Sequence, residues 1–199
     1  MRPGTGTGIN ANRFHVSCRL TPAPQSRCRS SHRAGKLVDM LTLRTLAVDD
    51  WPMWREARLA ALADAPYAFT SRLSDWQDGG EAQWRARFEM PDSYNVVALM
   101  NSRPVGMASG LPRDDGAGEL RSVWVSPEAR GHGVGDRLVM AVHEWAARSG
   151  RSALKLAVIP GNEPAVALYQ RHGFVVTDEL GSLLPDGVTR EQVMVKTLD

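Results

Sequence analysis

Cysteine is scarce in this chain. Only two of its 199 residues are cysteine, and both, Cys18 and Cys28, lie within the first 39 residues. Since residues 40–199 contain none, neither a disulfide framework nor a cysteine-based zinc site is expected there. No run of about 18 apolar residues occurs, so no membrane span is predicted. The absence of H-E-x-x-H and G-x-S-x-G sequences argues against zinc-protease and serine-hydrolase chemistry, and no metal site is predicted.

Acidic residues are nearly absent from the first part of the chain. Residues 1–39 hold six Arg and one Lys against a single acid, Asp39. The formal net charge is +2, of which this leader contributes +6, so residues 40–199 carry −4. A net charge this small predicts no strong attraction to nucleic acid or to a membrane. The leader also lacks the apolar centre of a secretory signal, and a cytoplasmic protein is expected.

The leader has little apolar periodicity and is rich in Arg, Ser, Pro and Gly, which is typical of disorder. Met40 opens the strand-like run MLTLRTLAV. We therefore predict a disordered leader at 1–39 and one folded domain at 40–199. Three origins of the leader stay open: a mis-assigned start with Met40 as the first residue, a nucleic-acid-binding arm, or a transit-type peptide.

Hydrophobic periodicity along residues 40–199 predicts one mixed α/β domain. A first strand is followed by a helix in WPMWREARLAALAD and by a weaker helix in DWQDGGEAQWRARFEM, which Gly79 and Gly80 interrupt. Three strands come next, in SYNVVALMN, RPVGMASGL and GELRSVWVS, and then the amphipathic helix DRLVMAVHEWAARSG. The strand ALKLAVI, the helix EPAVALYQRHG and strands in FVVTDE and EQVMVKTL complete the domain. This order joins an antiparallel first half to a βαβ crossover.

The glycine-rich sequence RGHGVG lies between the fourth predicted strand and a helix that starts near Asp136. Gly131, Gly133 and Gly135 permit positive φ angles, and free N–H groups at a helix N-terminus attract anions. Arg130 adds a positive charge. The pattern predicts a phosphate or pyrophosphate site, with a ligand-free turn as the alternative. Its spacing fits neither the dinucleotide nor the nucleoside triphosphate fingerprint.

Two motifs carry a family resemblance. The segment VWVSPEARGHGVGDRLV resembles the acyl-CoA loop of the GNAT superfamily of N-acetyltransferases, which has the pattern [QR]-x-x-G-x-[GA]. The segment NEPAVALYQRHGF is similar to that family's N-x-x-[AS]-x-x-L-Y-x-x-x-G-F. The resemblance covers residues 40–199, and its specific part is 119–175. It implies the GNAT fold: a twisted mixed sheet of about seven strands, flanked by four helices and splayed between the fourth and fifth strands.

The resemblance also implies roles for individual residues. Acetyl-CoA would donate its acetyl group directly to an amine acceptor, with Tyr169 protonating the departing thiolate and Glu119 as the general base. The alternatives are an aromatic residue packed on the sheet for Tyr169 and an exposed hairpin-end charge for Glu119. The residues that would bind acetyl-CoA are Val123, Trp124, Val125, Arg130, Gly131, His132, Gly133, Val134, Gly135, Asp136, Asn162, Ala165 and Tyr169.

The acceptor that the resemblance suggests first is a small molecule, such as a polyamine, an amino acid derivative or an aminoglycoside-like compound. Two alternatives stay open: a protein N-terminal acetyltransferase of the ribosomal-protein type, and a non-catalytic acyl-CoA-binding sensor. A homodimer is also suggested, because GNAT proteins often dimerise. Tyr67, Phe69 and Trp76 are candidates for an apolar wall of the acceptor site, and Asp64 or Asp75 for an acid that attracts a cationic amine.

Overall fold

One mixed sheet and four α-helices form the part of the chain that the computed structural model describes, residues 41–198. The predicted leader at 1–39 lies outside these residues. The strands are β1 (Leu41–Thr45), β2 (Tyr94–Met100), β3 (Arg103–Pro112), β4 (Gly118–Val125), β5 (Ala153–Val158), β6 (Val175–Leu183) and β7 (Arg190–Thr197). The helices are α1 (Trp51–Asp64), α2 (Glu81–Arg85), α3 (Val134–Arg148) and α4 (Glu163–Arg171), with short 3-10 turns in the connections.

The sheet opens between β4 and β5. Its order is β1-β2-β3-β4-β5-β7-β6, and every neighbouring pair except β4 and β5 is antiparallel. These two parallel strands pair only at Gly118 with Leu154 and at Glu119 with Lys155. Beyond Glu119, β4 is paired to β3 alone and β5 to β7 alone. The predicted fold and its splay are confirmed, and the splay leaves one main-chain edge of each strand unpaired.

Each face of the sheet carries its own hydrophobic core. The apolar stripe of the predicted amphipathic helix α3, which contains Leu138, Val142 and Trp145, packs on one face together with α4. The apolar side of α1, which includes Trp54 and Ala61, packs on the other face. The sheet is therefore covered on both sides, as expected for a layered α/β domain, and the splay lies between these layers.

A β-bulge bends β4 beside the splay. Its register with β3 shifts between the pair Met107–Trp124 and the pair Ser109–Arg121. Two residues of β4 therefore face one residue of β3, and the first of them, Ser122, has a φ of +57°. Bulges increase local twist and redirect the strand that carries them. The bulge thus turns the end of β4 away from β5.

Three boundaries differ from the sequence prediction. The second helix begins only after Gly80, since paired glycines favour a turn over a helix. Helix α3 begins at Val134 instead of near Asp136, because Gly133 takes a left-handed conformation and serves as the N-cap. Strand β6 continues beyond FVVTDE to Leu183 because its pairing with β7 extends that far.

Candidate active site

Two adjoining cavities occupy the splay. We call the first the loop groove: it has a volume of about 480 Å³ and lies between the end of β4, the glycine loop 130–136 and the start of α4. We call the second the sheet pocket: it has a volume of about 370 Å³ and is lined by residues 119–123 of β4, by the end of β5, and by side chains from α1 and the 3-10 turn that follows α2. The walls common to both are Ala68, Phe69, Val123, Asn162, Ala165 and Tyr169.

Six successive backbone N–H groups are free at the glycine loop. Within residues 41–198, none of the N–H groups of residues 131–136 donates to a protein acceptor, and pairing resumes where Arg137 N donates to Gly133 O (3.1 Å). Gly131 and Gly133 both have a φ of +75°. A Cβ atom at either glycine would meet open space. The loop and the N-terminus of α3 therefore form a cradle of donors that is suited to an anion.

The end of β4 supplies a second set of main-chain groups. Val123, Trp124 and Val125 all line the loop groove, along the edge that β5 leaves unpaired. The indole of Trp124 is buried in the core beneath α1, whereas Val123 and Val125 pack on the opposite face. An extended ligand lying in the groove could pair with this edge as an added strand would.

Asp64 holds β4 and the glycine loop together. Trp124 Nε1 donates to Asp64 Oδ2 (2.9 Å), and Arg130 forms an ion pair with the same carboxylate oxygen. Arg130 also donates from Nε to the carbonyl oxygen of Val125 (3.0 Å). Arg130, which the sequence predicts at the mouth of an anion site, is therefore engaged mainly in fixing the loop. Asp64 is bound on this side and is not among the residues that line the sheet pocket.

The remaining loop residues have distinct surroundings. Val134 is buried in the core, and a Cβ atom on Gly135 would lie 3.1 Å from Leu168 Cδ2, so a glycine there lets α3 approach α4 closely. Asp136 lines the groove and accepts hydrogen bonds from His172 Nε2 (3.0 Å) and Arg171 Nη2 (3.2 Å). Although burial acts to raise the pKa of Asp136, these two partners lower it overall.

His132 does not line either cavity. Its Nδ1 donates to the carbonyl oxygen of Arg130 (2.8 Å), which stabilises the loop locally. Asn162 lies at the start of α4 and serves as its N-cap: its side-chain oxygen accepts from Ala165 N (3.4 Å). Both Asn162 and Ala165 line the passage between the two cavities.

Tyr169 lies where the two cavities meet. The residue is 8% exposed, its ring packs edge-on against Phe174, and it lines both the loop groove and the sheet pocket. Burial raises the pKa of its phenol well above the ordinary value, so the hydroxyl stays protonated and can donate. Tyr169 thus packs in the core and also faces both cavities.

Glu119 marks the far end of the splay. It is the last residue of β4 that pairs with β5, and it lines the sheet pocket. Its side chain is 14% exposed, accepts from Arg121 Nε (2.8 Å) and lies 3.7 Å from Arg113 Nη1. Glu119 is thus a partly buried, ion-paired carboxylate in the same pocket as Tyr169, not a freely exposed hairpin-end charge.

The suggested acceptor wall is divided between the cavities. Phe69 and Trp76 line the sheet pocket, whereas Tyr67 lies in the loop groove and is 66% exposed. Asp75 accepts from Arg72 N (2.9 Å) in a local turn and lines neither cavity. Neither of the acids suggested from the sequence therefore lines the sheet pocket.

The family assignment follows from residues 50–174. The sequence profile of the Acetyltransferase (GNAT) family matches this range, which is more than half of the chain and includes both motifs. This chain belongs to the GNAT family. GNAT proteins use acetyl-CoA, and the loop groove lies where the family's acyl-CoA loop falls in this sequence.

Curated relatives are also GNAT-type acetyltransferases. The chain is 30% identical over 123 residues to the N-acetyltransferase YhfO of Bacillus subtilis, covering 59% of this chain and 82% of that protein. It is 46% identical over 148 residues to the mycothiol acetyltransferase of Paenarthrobacter aurescens, covering 71% of this chain and 45% of that protein. It thus spans less than half the length of this mycothiol acetyltransferase.

Solved structures share the GNAT fold. An acetyltransferase from Streptococcus pneumoniae aligns with a TM-score of 0.65 and 21% identity, covering 80% of this chain and 99% of that one. The yncA acetyltransferase from Salmonella typhimurium, solved with acetyl-CoA, aligns with a TM-score of 0.62 and 22% identity over 80% of this chain and 94% of that one. Among residues 41–198, no helix combines the length and the apolar character needed to cross a bilayer.

Sequence reasoning missed several residues that line or shape these two cavities. Arg58 and Arg87 line the sheet pocket, and Ser122 supplies the bulge that opens it. Asp64 was considered only as an acceptor-site acid, and its contacts with Arg130 link residues 66 positions apart. An arginine on the apolar side of α1 is the one unusual feature that could have pointed to Arg58.

Proposed function

We propose that this chain transfers the acetyl group of acetyl-CoA directly to an amine of a small molecule. The observation that carries the proposal is the convergence of the anion cradle at 131–136, the unpaired edge of β4 and the buried phenol of Tyr169 on two cavities that share six lining residues. Main-chain donors would hold the donor substrate on one side of Tyr169. The acceptor would enter from the other.

The loop groove suits acetyl-CoA in two parts. The free N–H groups of residues 131–136 would bind the pyrophosphate, since they lie at the positive end of α3. The main chain at Val123 and Val125 would pair with the amide groups of the pantetheine arm, which resembles an extended strand. This arrangement directs the thioester towards Tyr169, at the end of the groove.

The chemistry requires three proton transfers. An aliphatic amine with an ordinary pKa of about 10 is mostly protonated at neutral pH and must lose a proton before it attacks the thioester carbonyl. Glu119, directly or through water, would accept that proton. The amine nitrogen then forms the new C–N bond, the C–S bond breaks, and the Tyr169 hydroxyl would donate a proton to the departing thiolate. Its raised pKa keeps that hydroxyl protonated for this purpose. The acetylated nitrogen loses its second proton, which would pass to the Tyr169 oxygen, directly or through water, and restore the phenol.

The sheet pocket favours a small acceptor over the N-terminus of a protein. Its volume of about 370 Å³ is at the lower end of the range for small-molecule sites, and side chains from both halves of the domain line it. The protein N-terminal acetyltransferase and the non-catalytic sensor, which the sequence left open, remain distinguishable by experiment.

Calorimetry of acetyl-CoA binding to the full chain is the first test. The wild type is expected to bind, and Gly133→Glu is expected to abolish binding by adding bulk and negative charge to the cradle. Gly133→Ala is the matched control, because it introduces the same strain at a φ of +75° without the carboxylate. A second control is Gly187→Glu, at a φ of +71° and also facing open space. Absence of binding by folded wild-type protein would refute the proposal.

Tyr169→Phe separates the enzyme from the sensor. The variant keeps the ring that packs on Phe174 and loses only the hydroxyl. An enzyme should keep its acetyl-CoA affinity and lose about 10²-fold or more in kcat, as expected for removal of a general acid. A wild-type protein that binds acetyl-CoA tightly but transfers acetyl groups to no amine would instead be a sensor.

A further inference from the structure

Arg58 is a buried cation that faces the sheet pocket. It lies on α1, is 9% exposed, and its guanidinium carbon lies 4.6 Å from the centre of the Phe69 ring. Its Nη1 is buried and has no hydrogen-bond partner among residues 41–198. A buried charge of this kind is costly unless a partner of opposite charge is supplied. The geometry therefore indicates that the partner comes from outside the protein.

A second arginine adds to the positive charge. Arg87, in the 3-10 turn after α2, lines the same pocket, and no carboxylate in the described part of the chain forms an ion pair with Arg58 or Arg87. Burial, followed by repulsion from Arg87, lowers the pKa of Arg58 to about 10. Burial, followed by repulsion from Arg121, also lowers the pKa of Arg87. Both remain protonated at neutral pH, so two like charges share this side of the pocket.

The sheet pocket also contains two carboxylates. Glu119 and Glu191 come from β4 and β7 and line the same cavity as the two arginines. The charge of Arg121 is matched by its ion pair with Glu119. The pocket therefore contains two arginines without a carboxylate partner in the described part of the chain, together with two carboxylates, of which Glu119 is paired with Arg121. A site that offers both charges complements a molecule that carries an anion as well as an amine.

Resting on the proposed function, we propose that the acceptor carries a carboxylate as well as its amine, as a free amino acid does. Arg58 and Arg87 would bind the carboxylate, and the amine would then lie towards Glu119 and Tyr169. Guanidinium groups form paired, charge-assisted hydrogen bonds with planar carboxylates, which fixes both position and orientation. A pocket of about 370 Å³ accommodates such a molecule.

Matched acceptors test this assignment on the full chain with acetyl-CoA. The panel consists of L-amino acids, the corresponding carboxamides, the corresponding amines without the carboxyl group, and aminoalkylphosphonates. Release of the CoA thiol gives kcat/KM for each. At least one amino acid is expected to exceed its carboxamide and its amine by tenfold or more, as loss of a charge-assisted contact implies. The amine of the carboxamide is less basic than the amine of the free amino acid, so a larger fraction of it is unprotonated and ready to attack at neutral pH. This difference favours the carboxamide and therefore works against the expected result.

Variants connect the preference to the arginines. Arg58→Gln is expected to remove most of the discrimination between an amino acid and its carboxamide, chiefly through KM for the acid. Arg58→Lys should retain part of it, since the charge remains and the paired geometry is lost. Arg148→Gln removes an arginine that is exposed on α3 and lies outside both cavities, and it should leave the ratio unchanged.

A binding measurement removes the dependence on turnover. With CoA present, an N-acetyl amino acid is expected to bind by calorimetry, and its carboxamide is expected to bind at least tenfold more weakly. The inference is overturned if carboxamides or simple amines match the acids, if phosphonates are preferred, or if no acid is acetylated or bound. If acetyl-CoA itself does not bind, the proposed function fails. If acetyl-CoA binds and amines without an anion are acetylated equally well, only this inference fails.

Discussion

Replacing Arg58 by methionine should stabilise the protein while it impairs acceptor binding. Burial, then the charge of Arg87, lowers the pKa of Arg58 to about 10. At 1.36 kcal/mol for each pH unit of lowering, the buried charge costs at most about 3 kcal/mol. The cation–π contact with Phe69 offsets about 1 kcal/mol of this cost. Methionine has a similar length and no charge, so the expected gain in unfolding free energy is about 1 to 2 kcal/mol.

The destabilisation caused by the buried charge of Arg58 depends on pH. The folded state binds the Arg58 proton more weakly than the unfolded state does, so the cost is fully present below about pH 10. The unfolding free energy of the wild type should recover this cost only as the pH rises through and above that value, where Arg58 loses its proton in the folded state. Neutral pH is therefore the condition at which the wild type and Arg58→Met differ most.

Urea unfolding at pH 7, without acceptor, measures the difference. Arg58→Met should raise the midpoint without changing the slope, and the melting temperature should rise by about 3 to 6 °C. Arg58→Lys keeps the charge and should give no gain. Arg148→Met makes the same change at an exposed position and should be nearly neutral. A loss of stability in Arg58→Met would show that the charge is compensated within the free protein, and the argument for an external anion would then fail.

Three further outcomes follow from individual contacts. Because burial raises the pKa of Tyr169, its hydroxyl should not lose its proton between pH 7 and 10, and kcat should not fall over that range for this reason. A fall in kcat that is present in the wild type and absent in Tyr169→Phe would contradict the role of Tyr169 as a neutral donor. Asp64→Ala should cost about 1 to 3 kcal/mol in urea unfolding and weaken acetyl-CoA binding, because it leaves the buried Trp124 indole unpaired and releases the loop; Asp64→Asn should recover part of the stability. Gly110→Ala should cost about 1 to 3 kcal/mol and alter the near-UV circular dichroism, since its Cβ would lie 2.3 Å from Trp145, which stacks on Tyr94; unchanged stability would contradict that packing.

The elements and the cradle of free N–H groups were predictable because their determinants are local. The apolar stripe of α3 recurs at helical spacing, and Asn162 caps α4 three residues from the N–H group that it accepts. The cradle at 131–136 depends on glycines that stand in one short segment. Determinants that lie within one short segment of the chain can be recognised from the sequence.

The sheet pocket was not predictable in the same way. Arg58, Arg87 and Glu191 come from three separate elements and meet only after the sheet has formed. On its own, Arg58 is one polar position in a helix whose apolar face is weakly defined, and nothing nearby in sequence marks it as buried. The bulge at Ser122 was also hidden, since serine at positive φ is set by the register between β3 and β4 and not by a turn motif.

This difference suggests how the two halves of the site divide recognition. In the proposed function, the loop groove would bind through main-chain groups, which any sequence with the right glycines can present, and would so select the donor common to the whole family. The sheet pocket is built from side chains, and Arg58 and Arg87 are cations there that the described part of the chain leaves without a carboxylate partner. Because an uncompensated buried charge costs stability, its retention in the pocket argues for a compensating acceptor. The charge of the acceptor is thus a more direct clue to specificity than the motif that identifies the family.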